Sequence, residues 1–104
     1  MVSRGDVWLV LPDASGGSSE PHSCVILSPP EIHDHLGVVT VAPITPSSSK
    51  AAYRVSLKVG AQTGVIRLEQ IRTIDTRALT RQVGTVEPKT LGKALATLRE
   101  MFAD

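Results

Sequence analysis

The sequence predicts a mainly β protein of the β-rich α+β kind, a small antiparallel barrel or curled sheet with a C-terminal helix. Three observations carry this expectation. Five or six short runs rich in β-branched residues recur along the chain, each bounded by glycine, proline or serine. Near the end the hydrophobic period switches from that of a strand to that of a helix. The 104 residues, 41% hydrophobic and 20% charged, supply one core, so residues 1–104 are expected to form a single domain.

Gly5 to Val10 reads as a short, largely apolar strand that stops at Leu11-Pro12-Asp13. Residues 12–21, dominated by proline, glycine and serine, have little to bury and read as a loop. Cys24-Val25-Ile26-Leu27 is the second strand, and Ser28-Pro29-Pro30 closes it because two prolines remove donors that a ladder needs. A polar connection follows, in which His33-Asp34-His35 reads as an exposed turn. Gly37 to Ala42 is a third strand, and Pro43 to Lys50 a second long loop.

Tyr53 to Lys58 alternates apolar and polar as a half-buried strand does. Thr63 to Asp75 is too β-branched for a preferred helix and reads as one extended segment that bends across two sheet regions. Val83 to Val86 adds a short strand. Leu91, Ala94, Leu95, Leu98, Met101 and Phe102 then recur at helical spacing behind Pro88, which a first turn tolerates, so a helix is expected over Pro88–Phe102 with that stripe packed inward.

Several function classes find no support. No apolar run is long enough to cross a bilayer, and the first ten residues carry Arg4, Asp6 and strand-like alternation in place of a leader, so a cytosolic protein is expected. A single cysteine, Cys24, excludes an intrachain disulfide and a thiolate metal cage, and its apolar neighbours predict a buried, inert thiol. His33 and His35 lack a visible third ligand, so no metal or cofactor is expected. No Gly-x-Ser-x-Gly, phosphate-binding glycine loop or His-Glu-x-x-His is present. Charge is uneven: residues 1–50 hold two bases against five acids, and residues 51–104 nine against five. That bias fits a modest polyanion site, but a solvated surface whose cationic stems cover apolar neighbours accounts for it without one.

Two places can carry chemistry. His22 directly precedes a buried strand at the mouth of the first loop, where a titrating group is accessible; an idle loop histidine fits the same position. Within Thr63-Gly-Val-Ile-Arg-Leu-Glu-Gln-Ile-Arg-Thr-Ile-Asp75, an extended backbone projects Arg67 and Glu69 from one face. The pair can be an ordinary surface ion pair, or a device in which the cation stabilises an oxyanion and the carboxylate moves a proton. Residue chemistry alone leaves both readings open.

Several separated motifs occur together in order: Arg4-Gly5-Asp6-Val7-Trp8, Val25-Ile26-Leu27-Ser28-Pro29, Ala42-Pro43-Ile44-Thr45, the Thr63–Asp75 segment, Val83-Gly84-Thr85 and Pro88-x-Thr90-Leu91. Together they resemble the MazF/PemK/Kid toxins nearly end to end, and the Arg67 region is most similar to the Kid/PemK branch. The resemblance implies an SH3-like antiparallel barrel, a homodimer, and the toxin of a type II toxin–antitoxin module that cleaves single-stranded RNA, commonly messenger RNA, and stops translation. Its partners would be RNA and a cognate antitoxin, with no membrane and no cofactor.

By motif position the resemblance assigns catalysis to Arg67, Glu69 and Thr45, and RNA contacts to Thr45, Ser47, Tyr53, Thr63, Val65 and Arg67. One departure matters. The family places Arg-Pro immediately before the second strand where this chain has His22-Ser23, and a loop histidine of the Kid branch is missing near Gly16-Gly17-Ser18. His22 is therefore expected to serve as acid or base. Two rival readings stand beside the nuclease. One is a gyrase inhibitor like the CcdB toxins, which share the fold but end in a Trp-containing tail, where this chain ends Met101-Phe102-Ala103-Asp104. The other is a catalytically silent module that keeps only antitoxin capture.

Overall fold

A computed structural model describes residues 2–12, 21–46, 53–59 and 62–104. The elements run β1 (Asp6–Val10), β2 (His22–Ile26), α1 (Pro30–Leu36), β3 (Val38–Thr45), β4 (Arg54–Val59), β5 (Gln62–Arg67), β6 (Arg72–Asp75), β7 (Leu79–Thr85) and α2 (Pro88–Met101). The seven strands form one sheet in the order β4-β5-β3-β2-β1-β7, with β6 added on β3. All its pairings are antiparallel. The expected β-rich sheet with a C-terminal helix is present.

β3 is the hub. One edge pairs with β2, through Cys24↔Pro43 and Ile26↔Val41. The other edge is shared by two strands in tandem: β6 covers Val38–Val41 and β5 covers Ile44 and Thr45. Thr40 accepts the Leu27 N–H on the β2 side, so alternate residues of β3 bond that way and Pro43 turns its donor-less nitrogen to the opposite edge. There it stands in the gap between the two tandem ladders, where no bond is lost. This is why the strand runs on to Thr45 instead of ending in a loop at Pro43.

Both faces of the sheet are apolar. The inner face sets Val7, Val25, Ala42, Val55, Leu57 and Ile66 against Leu68 and Ala94, with Leu91, Leu95, Leu98 and Met101 of α2 packed over them. The outer face gathers Val10, Cys24, Ile26, Val39 and Val41, with Trp8 and Ile74 beside them. Burial on two sides explains the unbroken apolar runs of β2 and β3, whereas in β4 the buried Val55 and Leu57 alternate with exposed Ser56 and Lys58. Phe102, expected at the end of the helical stripe, is 72% exposed beyond the last turn of α2. Among the described residues no helix is long and apolar enough to cross a membrane.

The connection after β2 is helical, not a turn. Pro30 at the first position and left-handed Gly37 after the last are the signals that bound α1. His33, expected on an exposed turn, is 8% exposed, and its Nε2 lies 2.7 Å from Ser28 Oγ. Ser28 Oγ accepts the Thr40 N–H at 2.9 Å, so its own hydrogen can go to Nε2. The remaining ring nitrogen, Nδ1, then faces the Val2 carbonyl. The imidazole thus ties α1 to the N-terminal segment and to β3. Helical spacing sends His35 to a different, exposed side, so the two histidines do not converge.

The Arg4-Gly5-Asp6 motif is an architectural joint. Arg4 Nε donates to the Leu27 carbonyl at 3.0 Å, and the Asp6 carboxylate accepts the Ser3 N–H and the Trp8 Nε1–H. Gly5 donates to Ile26 and accepts from Val86, stitching β2 to the start of α2. Its φ of +92° is strained for any residue with a Cβ, and such an atom would lie 3.1 Å from Leu91 Cδ2. Gly5→Ala is expected to cost about 1–3 kcal/mol from strain and overpacking. A thermal melt checks it, and an unchanged Tm would refute the account.

Candidate functional site

Alternation along β3 puts Val41, Pro43 and Thr45 on the outer face, and the ladders bring further side chains beside them. β2 contributes His22 and Cys24, since Cys24 pairs with Pro43. β5 contributes Val65, opposite Thr45, and Arg67 two residues on. β6 contributes Arg72, opposite Val41. The result is an open cleft of about 400 Å³ lined by His22, Cys24, Pro43, Thr45, Arg67, Gln70 and Arg72.

Arg67 Nε donates to Thr45 Oγ1 at 3.2 Å. That bond fixes both side chains and leaves the threonine hydrogen able to donate outward, while the Nη atoms of Arg67 keep the fork that suits a phosphate. His22, exposed at the start of β2, stands at the same cleft. Cys24 forms part of the floor. Burial pushes its thiol up to about 11, against a smaller downward pull from the Arg72 charge, so it is neutral and unreactive at physiological pH.

Glu69 departs from the expected geometry. Leu68–Gln70 is a turn of 3₁₀ helix, not extended chain, so Glu69 does not share a strand face with Arg67. Its carboxylate instead accepts from Arg54 Nη2 at 3.0 Å and Nε at 3.3 Å, and it is not among the residues lining the cleft. Slight burial raises its pKa, but the hydrogen bonds and the charges of Arg54 and Arg67 outweigh this and hold the carboxyl below its usual value. There is a local reason for the pairing. Arg54 lies directly opposite Arg67 in the β4–β5 ladder, and like charges so placed repel. Glu69 neutralises Arg54 and leaves the Arg67 charge to act on the cleft.

The other expected RNA contacts divide. Thr63 is exposed on the outer face of β5, and Tyr53 is 44% exposed just before β4 with φ at +65°. Val65 shares the face but is only 3% exposed, so it supports the surface from beneath in the free protein. Ser47 lies outside the described residues. Gln70 and Arg72, which line the cleft, escaped the sequence reading. The only signal was their place in the Glu69-Gln70-Ile71-Arg72 run, and an extended reading of that run assigns them the wrong faces.

The sheet is curled and antiparallel, with α2 over one face and the Arg67–Thr45 pair beside His22 on the other. Residues 3–102 match the family model of the PemK-like, MazF-like toxins of type II toxin–antitoxin systems, and the chain belongs to that family. Comparison with curated protein sequences gives no match. Among solved structures, the chain is similar to an endoribonuclease in complex with its cognate antitoxin from a mycobacterial species. The TM-score there is 0.81 at 22% identity, over 96% of this chain and 93% of that one. It is similar also to MazF from Deinococcus radiodurans, with a TM-score of 0.79 at 22% identity over 96% and 94% of the two chains. Mycobacterium tuberculosis toxin MazF-mt6 gives 0.77 at 23% over 93% and 95%. At these identities the likeness establishes the fold.

Proposed function

We infer that this chain is the endoribonuclease toxin of a type II toxin–antitoxin pair, acting in the cytoplasm as a homodimer on single-stranded messenger RNA and held inactive by a cognate antitoxin. The observation that carries the reading is the Arg67–Thr45 hydrogen bond set in an open cleft beside His22, within the fold of this toxin family.

The chemistry follows from what these groups can do. The 2′-hydroxyl of a ribose attacks its own neighbouring phosphorus, so the nucleophile is tethered in place and no activated water is required. His22 takes the hydroxyl proton, a task open to an exposed imidazole at the cleft. Negative charge then grows on the phosphate oxygens. The Nη atoms of Arg67 and the hydroxyl hydrogen of Thr45 meet it with charge-assisted and neutral donors already in place. The bond to the 5′-oxygen breaks, that oxygen takes a proton from water in the open cleft, His22 returns its proton to the hydroxide so formed, and the products are a 2′,3′-cyclic phosphate and a free 5′-hydroxyl. Glu69, held by Arg54, acts at one remove by neutralising the cation opposite Arg67.

Purified protein incubated with a long RNA in EDTA is expected to cut it and leave 2′,3′-cyclic phosphate ends. A 2′-deoxy sugar placed just 5′ of a mapped cut removes the attacking group, and cleavage there is expected to stop. Continued cutting of that oligonucleotide would exclude the mechanism, and intact RNA throughout would exclude the activity.

A further inference from the structure

We propose that Arg72 forms a second phosphate-binding position in this cleft, gripping the phosphodiester next to the one that is cut. The inference rests on the nuclease reading. Arg72 lies five positions after Arg67, so an unbroken strand would point them to opposite faces. The 3₁₀ turn at Leu68–Gln70 resets that phase. Beyond it, Arg72 pairs with Val41 and Ile74 with Val39, both outer-face residues, and the Arg72 side chain enters the same cleft as Arg67.

The two guanidinium-bearing residues therefore lie along one edge of β3. The β5 register, carried one step past Ile44↔Ile66, sets Arg67 beside Pro43, while Arg72 sits beside Val41. Two residues of strand make their backbones about 7 Å apart along β3. That offset suits two successive phosphodiesters of an unpaired strand better than one phosphate held twice. Arg72 is also where the cleft meets a neighbouring cavity of about 500 Å³, lined by Val10, Ile74 and Ala78 among others, and Val10 pairs directly with His22. A strand leaving the cleft on this side passes the guanidinium. Arginine stays charged at every working pH and presents a planar fork that matches phosphate oxygens.

The test uses a short single-stranded RNA spanning a cut mapped with the wild-type protein, with one 2′-deoxy sugar at that cut so that it binds without reacting. Arg72→Ala is expected to weaken binding about tenfold or more at low salt, as loss of a hydrogen-bonded charge does. The slope of log affinity against log salt should fall in magnitude by roughly 0.7, the value for one phosphate contact on a single strand. Arg72→Lys should restore the slope, because a point charge still displaces a counterion. Lys93→Ala, on the exposed side of α2, should match wild type. An Arg72→Ala variant with wild-type affinity and slope overturns the proposal, and so does an Arg72→Lys variant whose slope matches that of the alanine variant, since that marks a merely structural role. A wild-type protein that cuts no RNA fails earlier and overturns the nuclease reading itself.

Discussion

Arg67→Ala is expected to slow RNA cleavage roughly 10²–10³-fold, the loss seen when one pre-placed donor to a developing oxyanion is removed. The effect should fall mainly on turnover, because the extra negative charge that Arg67 meets exists only in the transition state. Its partner Thr45 would be left without the bond that orients it, so the variant removes two donors' worth of organisation from the cleft. Stability should change little. The side chain is half-buried at most, and its loss also removes a like charge facing Arg54 across the β4–β5 ladder. Glu69→Gln is the informative comparison. Its carboxylate is bonded to Arg54 outside the cleft, so the rate should fall far less than for Arg67→Ala. Single-turnover cleavage and a thermal melt of both variants check this. Equal losses for the two would return Glu69 to a direct part in proton transfer.

Why Glu69 was placed wrongly from sequence shows where local reading fails. Val65, Ile66, Ile71 and Ile74 all favour extended chain, and nothing in Arg67-Leu68-Glu69-Gln70 marks a break. The break arises from the sheet. β3 offers one edge to two partners in succession, and the chain must step from the Thr45 end to the Val38–Val41 end between them. Such a demand is tertiary and leaves no signature in residues 63–75. The same holds for Pro43, whose presence inside a central strand is tolerated only because a gap between ladders lies opposite its nitrogen.

Elements whose identity rests on their own composition were legible: β1, β2, β4 and α2 lie within a residue or two of their expected limits. For β7 the pattern predicts only the part from Val83, because most of its side chains are exposed and Leu79 to Gln82 lack an apolar pattern. Pro30 and Gly37 bracket α1, but its seven polar-rich residues carry too little helical period to predict it. Of the site, His22, Thr45 and Arg67 do meet in space, an arrangement that the sequence could supply only through the family resemblance.

The turn that sets this geometry is pinned by one side chain. Leu68 is fully buried in the inner core, where α2 packs against the turn, and its N–H donates to the Tyr53 carbonyl at 3.2 Å. Leu68→Ala is expected to cost about 2–5 kcal/mol, since a cavity would open beneath a tightly bonded turn. For a domain of this size that is a Tm fall of at least about 8 °C. A second loss should appear in the fraction that stays folded. With its anchor gone the 3₁₀ turn can drift, and misplacing a positioned group by about 1 Å can cost as much as 10²-fold in rate. Leu91→Ala, which removes a partly buried leucine from α2 facing Gly5, provides the comparison. Measured well below either melting transition, Leu68→Ala should cleave RNA severalfold more slowly than Leu91→Ala. Equal rates would mean that the turn holds its shape without Leu68, and that the convergence of Arg67 and Arg72 is fixed by the β3 ladders alone.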